Sequence, residues 1–119
     1  MSKKLAIEIL NDYPLATETV RDWFLKKMIE SFDKDSVPED FKKGMLGKGI
    51  PDQTLALMLD ERPRNFFDVL DSNNIIIEIF HMGKNIFRSS IKNVDDEKRY
   101  EGRISCERAA VVEAFKKLN

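Results

Sequence analysis

Cys106 and His81 are the residues whose types could support nucleophilic catalysis, and each is the only residue of its kind in the chain. Cys106 falls in the first turn of a predicted helix, where the helix dipole favours a thiolate, and an imidazole can serve as its base. The two positions are better explained without chemistry, by a small residue packed near strand ends and a histidine at a hairpin end. Because the spacing offers no third group to orient the base, the sequence favours a protein that is not an enzyme.

Metal and nucleotide sites are disfavoured by the residue types present. A structural zinc site needs about four cysteine or histidine ligands, and the chain has one of each. The segment GMLGKG, residues 44 to 49, lacks both the glycine spacing and the hydroxyl residue after lysine that a phosphate-binding loop requires. We therefore expect no cofactor and no metal ion.

Composition limits the class of protein further. The 119 residues carry 20 basic and 21 acidic side chains, so the net charge of −1 supports neither a strongly basic nor a strongly acidic surface. The single cysteine excludes an internal disulfide, and the N-terminal segment MSKKLAIEILNDYP lacks a signal-peptide cleavage site. No apolar run approaches the roughly 20 residues that span a bilayer. These features predict a cytoplasmic protein that does not enter a membrane.

The elements that would position any site begin with a series of helices. Apolar residues recur at helical spacing in five segments of the chain. The second segment begins at an N-cap on Thr17 and has an apolar stripe wide enough for a central helix. The predicted helices cover residues 5 to 13, 17 to 32, 36 to 47, 51 to about 60, and 64 to 72. In the first of these segments Leu5, Ile7 and Ile9 also alternate as in a strand, and a short helix is the favoured interpretation.

The hydrophobic period then changes to two in NIIIEIFHMGKNIFRSSI, residues 74 to 91. A three-residue loop at Gly83-Lys84-Asn85 separates apolar from polar side chains best. It places these residues on one inner face: Ile75, Ile77, Ile79, His81, Phe87, Ser89 and Ile91.

A third strand is predicted over residues 98 to 105, and a final helix is predicted to begin at an N-cap on Ser105. The whole chain, residues 1 to 119, is thus predicted to form one α+β domain. Its expected order is N-terminal short helices, a three-stranded antiparallel β-meander and a C-terminal helix.

The outer face of this meander gives the leading functional hypothesis. Ile76 and Phe80 are apolar side chains on the face that should meet solvent, which is typical of a surface that docks another molecule. The sequence therefore predicts a small interaction or regulatory protein that binds another protein or a second copy of itself. The predicted partner-binding residues are Ile76, Phe80, Arg88, Arg99 and Arg103.

A nucleic-acid-binding protein is the alternative. The order helix, short break, helix and hairpin resembles a winged helix-turn-helix, with residues 52 to 60 as first helix, 64 to 72 as recognition helix and 82 to 85 as wing tip. Asp68 and Asp71 oppose this reading because carboxylates repel phosphates. The residues that would contact nucleic acid are Arg62, Arg64, Asn65 and Lys84.

Overall fold

The fold was obtained as a computed structural model, which describes residues 3 to 34, 38 to 40 and 49 to 119. It is an α+β fold in which helices precede an antiparallel sheet and a long helix follows it, as predicted. The helix predicted over residues 36 to 47 falls largely outside the described residues. None of the described helices is long and apolar enough to cross a membrane.

The N-terminal helices α1 (Lys3–Asp12) and α2 (Pro14–Lys34) are separated by a single residue. The prediction that α1 ends before Pro14 is confirmed, because proline disfavours helical geometry in the residue that precedes it. The prediction that Thr17 is the N-cap of α2 is wrong. Thr17 lies inside the helix, and its buried hydroxyl donates to the Leu10 carbonyl 2.8 Å away, which satisfies a backbone group at the end of α1.

The next helices are short. Helix α3 (Asp52–Glu61) is followed by a 3₁₀ turn (Pro63–Phe66) and by α4 (Phe67–Ser72). The single helix predicted over residues 64 to 72 is therefore wrong in its first part, where Pro63 starts the tighter turn. The hydrophobic spacing was nevertheless informative, because Leu55, Leu59 and Phe66 are fully buried.

Among the described residues the sheet has four strands: β1 (Ile77–Gly83), β2 (Ile86–Ile91), β3 (Val94–Asp95) and β4 (Tyr100–Glu101). The predicted hairpin register is confirmed, since β1 and β2 pair Ile77 with Ile91, Ile79 with Ser89 and His81 with Phe87. The connection differs from the predicted three-residue loop. Gly83 pairs with Ile86, and an irregularity between His81 and Gly83 absorbs the additional residue, as a β-bulge does.

The third strand is much shorter than predicted. Strand β4 ends at Glu101, and helix α5 (Arg103–Leu118) begins where the pattern predicted more strand. Gly102 separates the two elements with a φ of 87°, a backbone conformation that favours glycine. The predicted N-cap on Ser105 is therefore wrong, and Arg103 belongs to a helix. Alternating residues in a short segment did not distinguish a strand from a helix start.

The core lies between the sheet and the helices, and α5 occupies its centre. Helix α5 contacts the sheet as well as α2, α3, α4 and the 3₁₀ turn. A central role for α2 was predicted and is wrong, because residues 21 to 31 of that helix are half-buried or exposed. Three aromatic rings pack between the helices. The ring centroid of Phe66 lies 5.8 Å from that of Phe24 and 5.6 Å from that of Phe115, and both contacts are edge to face.

Polar contacts between distant segments fix the helices. Arg108 of α5 donates from Nε and Nη2 to the Asp60 carbonyl at 3.2 and 2.5 Å, and its Nη2 lies 3.7 Å from Asp60 Oδ1. The Asn119 side chain accepts hydrogen bonds from the backbone N–H groups of Leu15 and Ala16, at 2.9 and 3.3 Å. Asn119 therefore supplies the cap at the start of α2 that was predicted for Thr17.

Candidate functional site

Cys106 does not have the surroundings of a catalytic nucleophile. Its side chain is fully buried in the first turn of α5, and burial raises the pKa of the thiol, as do the nearby carboxylates of Asp96 and Glu107. A hydrogen bond with Ser89 acts in the opposite direction but is outweighed. The thiol form is thus favoured at neutral pH, and the group is shielded from reagents.

His81 is engaged at the end of the hairpin. Its ring stacks on Phe87 with centroids 4.9 Å apart, and its Nε2 lies 2.6 Å from the carbonyl oxygen of Lys84. These contacts close the turn between β1 and β2. They give the ring a structural role, and they do not place it as a base for Cys106.

A polar pocket lies between β2, the segment from β3 to β4, and α5. Its volume is about 350 Å³, and its walls include Ser89, Asp96, Tyr100 and Glu113. The Tyr100 hydroxyl donates to Asp96 at 3.0 Å, and the pKa of Tyr100 rises to about 12, first because of burial and then because of that carboxylate. Tyr100 and Asp96, two of the polar groups of the pocket, are therefore engaged with each other.

Sequence reasoning missed this pocket because its acidic residues follow one another in NVDDE, which is typical of a solvated loop. No periodicity connects Asp96 with a tyrosine on the next strand. Within residues 3 to 34, 38 to 40 and 49 to 119, no group of three or more His, Cys, Asp or Glu side chains is arranged to hold a metal ion.

The outer face of the sheet, the side turned away from α5, holds three of the predicted partner-binding residues. Ile76, just before β1, is 54% exposed. Phe80 is half-buried, because the guanidinium of Arg88 lies 4.4 Å from the centre of its ring. Arg88 also forms an ion pair with Asp95. The chain thus covers Phe80 in part, and Ile76 is the more accessible apolar side chain.

Arg99 and Arg103 lie near the edge of the sheet opposite to β1. Arg99 immediately precedes β4, which pairs with β2 along the edge away from β1, and its guanidinium donates to the Glu97 carbonyl at 2.9 Å. Arg103 opens α5 and forms an ion pair with Glu107 at 3.4 Å. The five predicted partner-binding residues therefore do not form one patch.

One edge of β1 is not paired with any other described strand. Among the described residues, β1 pairs only with β2. The N–H of Lys92 donates to the Ile76 carbonyl at 3.0 Å, so Ile76 is hydrogen-bonded on the side of β2. In an antiparallel pair, every second residue of a strand is hydrogen-bonded to the neighbouring strand, and the residues between them point their N–H and C=O groups away from it. The N–H and C=O groups of Ile77, Ile79 and His81 therefore point away from β2, which exposes a template for a further strand.

Of the predicted nucleic-acid contacts, Arg64 and Asn65 come together in one groove. This open groove of about 630 Å³ lies between α2 and the 3₁₀ turn and is also lined by Trp23 and Phe67. Lys27 extends over the Trp23 ring at 5.4 Å. The other two residues lie elsewhere, Arg62 at the C-cap of α3 and Lys84 in the turn of the hairpin.

Comparison with protein-family models, with curated proteins and with solved structures found no match.

Proposed function

We propose that this is a small non-enzymatic interaction protein that binds a polypeptide along the open edge of β1. The observation that carries the proposal is the row of outward backbone groups at Ile77, Ile79 and His81, on a strand that pairs on one side only among the described residues. An added strand would satisfy these groups through main-chain hydrogen bonds.

Side chains beside the edge supply the means for specificity. Ile76 and Met82 are exposed near the two ends of β1, and Glu78 lies between them. An added strand presents alternate side chains to this surface, so the partner's sequence is read at every second position. Phe80 and Arg88 contribute a flat surface at the middle of the strand, where Asp95 partly neutralises the charge of Arg88.

Amide hydrogen exchange on the dilute protein tests whether the edge is open. We expect the amides of Ile77, Ile79 and His81 to exchange much faster than those of Glu78 and Phe80, because only the latter donate to β2. Slow exchange at all five positions, independent of protein concentration, would show that the edge is already covered and would refute the proposal.

Ile79→Pro and Ile79→Ala form a matched pair for partner capture. Both substitutions remove the isoleucine side chain, but only proline removes the outward N–H and blocks an added strand, while the bonds from β1 to β2 remain. With tagged protein in an extract of the native host, we expect partners retained by the wild type and Ile79→Ala to be lost with Ile79→Pro. Equal retention by both variants would contradict docking at this edge.

A second candidate function is binding of single-stranded nucleic acid in the groove beside Trp23. The observation that favours it is the arrangement of two aromatic side chains, Trp23 and Phe67, next to Lys27, Arg64 and Asn65. Aromatic rings stack on bases of any sequence, and cations neutralise the phosphates between them. Asp68 on the same wall weakens this attraction.

Trp23 is the only tryptophan, so its fluorescence reports on the groove directly. If the second candidate is correct, an oligonucleotide quenches this fluorescence at low salt and Arg64→Ala weakens the effect. Arg62→Ala is the matched control, because Arg62 lies outside the groove lining. Unchanged fluorescence at low salt would refute this candidate.

A further inference from the structure

Resting on the proposed function, the geometry points to a second copy of this chain as the polypeptide that occupies the β1 edge. We propose that two β1 strands pair antiparallel about a two-fold axis at Ile79, which joins two sheets into one. An isologous interface of this kind requires that one surface be complementary to itself. Both the backbone and the side chains of β1 meet that requirement.

The backbone fits this register because the outward groups are symmetric about Ile79. With the axis at Ile79, that residue faces its own copy, and Ile77 faces His81 of the second copy. In each of these pairs both residues present outward N–H and C=O groups, so each pair exchanges two hydrogen bonds. Every outward group from Ile77 to His81 is then satisfied.

The charges on the outer face also fit. The same register sets Glu78 directly beside Phe80 of the second copy. The guanidinium of Arg88 lies 4.4 Å from the centre of the Phe80 ring, which places it next to the incoming Glu78 carboxylate. Arg88 already pairs with Asp95 through Nη1, so Glu78 would join this guanidinium as a second carboxylate. Within its own sheet Glu78 faces uncharged Ser90, so this carboxylate has no cation directly opposite it. Two-fold symmetry makes the contact between Glu78 and Arg88 twice.

Neighbouring registers are less favourable. An axis at Glu78 would set the two Glu78 carboxylates directly opposite each other, and like charges in that position are destabilising. An axis at Phe80 would bring the irregularity between His81 and Gly83 into the paired region. A register that places odd-numbered residues of one copy opposite even-numbered residues of the other is also unfavourable. It would set outward N–H and C=O groups against residues whose own groups point to β2.

Charge exchange across the interface tests this pairing. Glu78→Arg sets two arginines together, and we expect it to raise the dimer dissociation constant roughly tenfold or more, because the contact is lost twice by symmetry. Arg88→Glu sets Glu78 against a second glutamate and should have a similar effect. An equimolar mixture of the two variants restores both opposite-charge contacts, so we expect it to form a heterodimer.

Sedimentation velocity over a range of concentrations measures these constants, and circular dichroism confirms that each variant is folded. Glu101→Arg is the matched control, since it makes the same charge change on exposed β4 at the far edge and should leave the dimer unchanged. Glu78→Gln, which only neutralises the charge, should weaken the dimer less than Glu78→Arg. The comparison of Glu78→Gln with Glu78→Arg remains informative even if Arg88→Glu does not fold.

Failure of this inference is distinguishable from failure of the proposed function. A wild type that stays monomeric at every concentration, with fast exchange of the Ile79 amide, overturns the self-pairing and leaves the open edge for a different polypeptide. Equal weakening by Glu78→Arg and Glu101→Arg also overturns the proposed register. Slow exchange of that amide in a monomer overturns both proposals.

Discussion

Single residues in this protein have reactivities set by burial, as Cys106 shows. Its residue type and helical position suggested a nucleophile, but its depth and its neighbours Asp96 and Ser89 could not be read from the sequence. His81 was correctly predicted to lie at the end of a hairpin, and its ring is held there by Phe87. The residue types were visible in the sequence, but the three-dimensional surroundings that decide their chemistry were not.

Alkylation of Cys106 should be slow in the folded protein. Burial raises the pKa of the thiol and blocks access, so we expect labelling by iodoacetamide at pH 8 to be at least about tenfold slower than in the same chain unfolded by denaturant. Mass spectrometry of timed samples gives both rates. Equal rates would contradict the buried placement and would restore Cys106 as a candidate nucleophile.

Tyr100 should lose its proton at a higher pH than an ordinary tyrosine, and the free energy of unfolding should therefore fall at high pH. The folded protein holds the phenol proton more tightly, with a pKa of about 12 against 10.0 for the ordinary group, so stability is fully present below pH 10.0 and is lost as pH rises towards 12. Phenolate absorbance measures the titration, and Tyr13→Phe isolates the Tyr100 signal. Asp96→Asn should lower the midpoint, and an unchanged midpoint would assign the whole shift to burial.

Secondary-structure elements were predicted best where the pattern was long. The β1–β2 register followed from alternation over many residues, since a slip of one position would turn every apolar side chain to solvent. The third strand was overestimated because Tyr100, Gly102 and Ile104 alternate by chance across a strand end and a helix start. Alternation cannot show that Gly102 adopts a positive φ, and this conformation is what separates β4 from α5.

The candidate docking edge was predicted only in part. Ile76 and Phe80 pointed to the region of β1 through their apolar character on the outer face, and docking there stays a prediction. That Arg88 would lie over Phe80, and that Arg103 would belong to a helix, depended on contacts between distant residues. An open edge is a property of strand order, which the hydrophobic pattern of a single strand does not contain.

Gly102→Ala should destabilise the junction between β4 and α5. With φ at 87° and ψ at 137°, an alanine would be strained, at a cost of about 1 to 3 kcal/mol in the free energy of unfolding. The nearest atom to an added Cβ is Asn85 Nδ2 at 3.9 Å, so collision is not the cause. Urea unfolding measures the change. Ser105→Ala, at an exposed helical position close by, should change stability little, and an equal loss would contradict the conformational explanation.

At the scale of the whole molecule, Phe66 connects the layers. It is fully buried, and its ring meets Phe24 of α2 and Phe115 of α5. Phe66→Ala should therefore lower the free energy of unfolding by about 3 to 5 kcal/mol, through lost burial and a cavity. Leu15→Ala is the control, since Leu15 is 61% exposed and should cost little. Thermal unfolding followed by circular dichroism measures both changes, and a small effect of Phe66→Ala would show that the layers are held together elsewhere.

The bond from Asn119 to the start of α2 has a consequence for how the protein is made. Leu15 and Asn119 are 104 positions apart, so a ribosome emits α1 and α2 long before the side chain that caps α2. The buried side chains of α2 likewise become covered only after α5 has been synthesised, because α2 packs against α5. Until α5 has emerged, the nascent N-terminal half therefore leaves apolar side chains of α2 uncovered, and exposed apolar surface of this kind favours aggregation of incompletely folded chains.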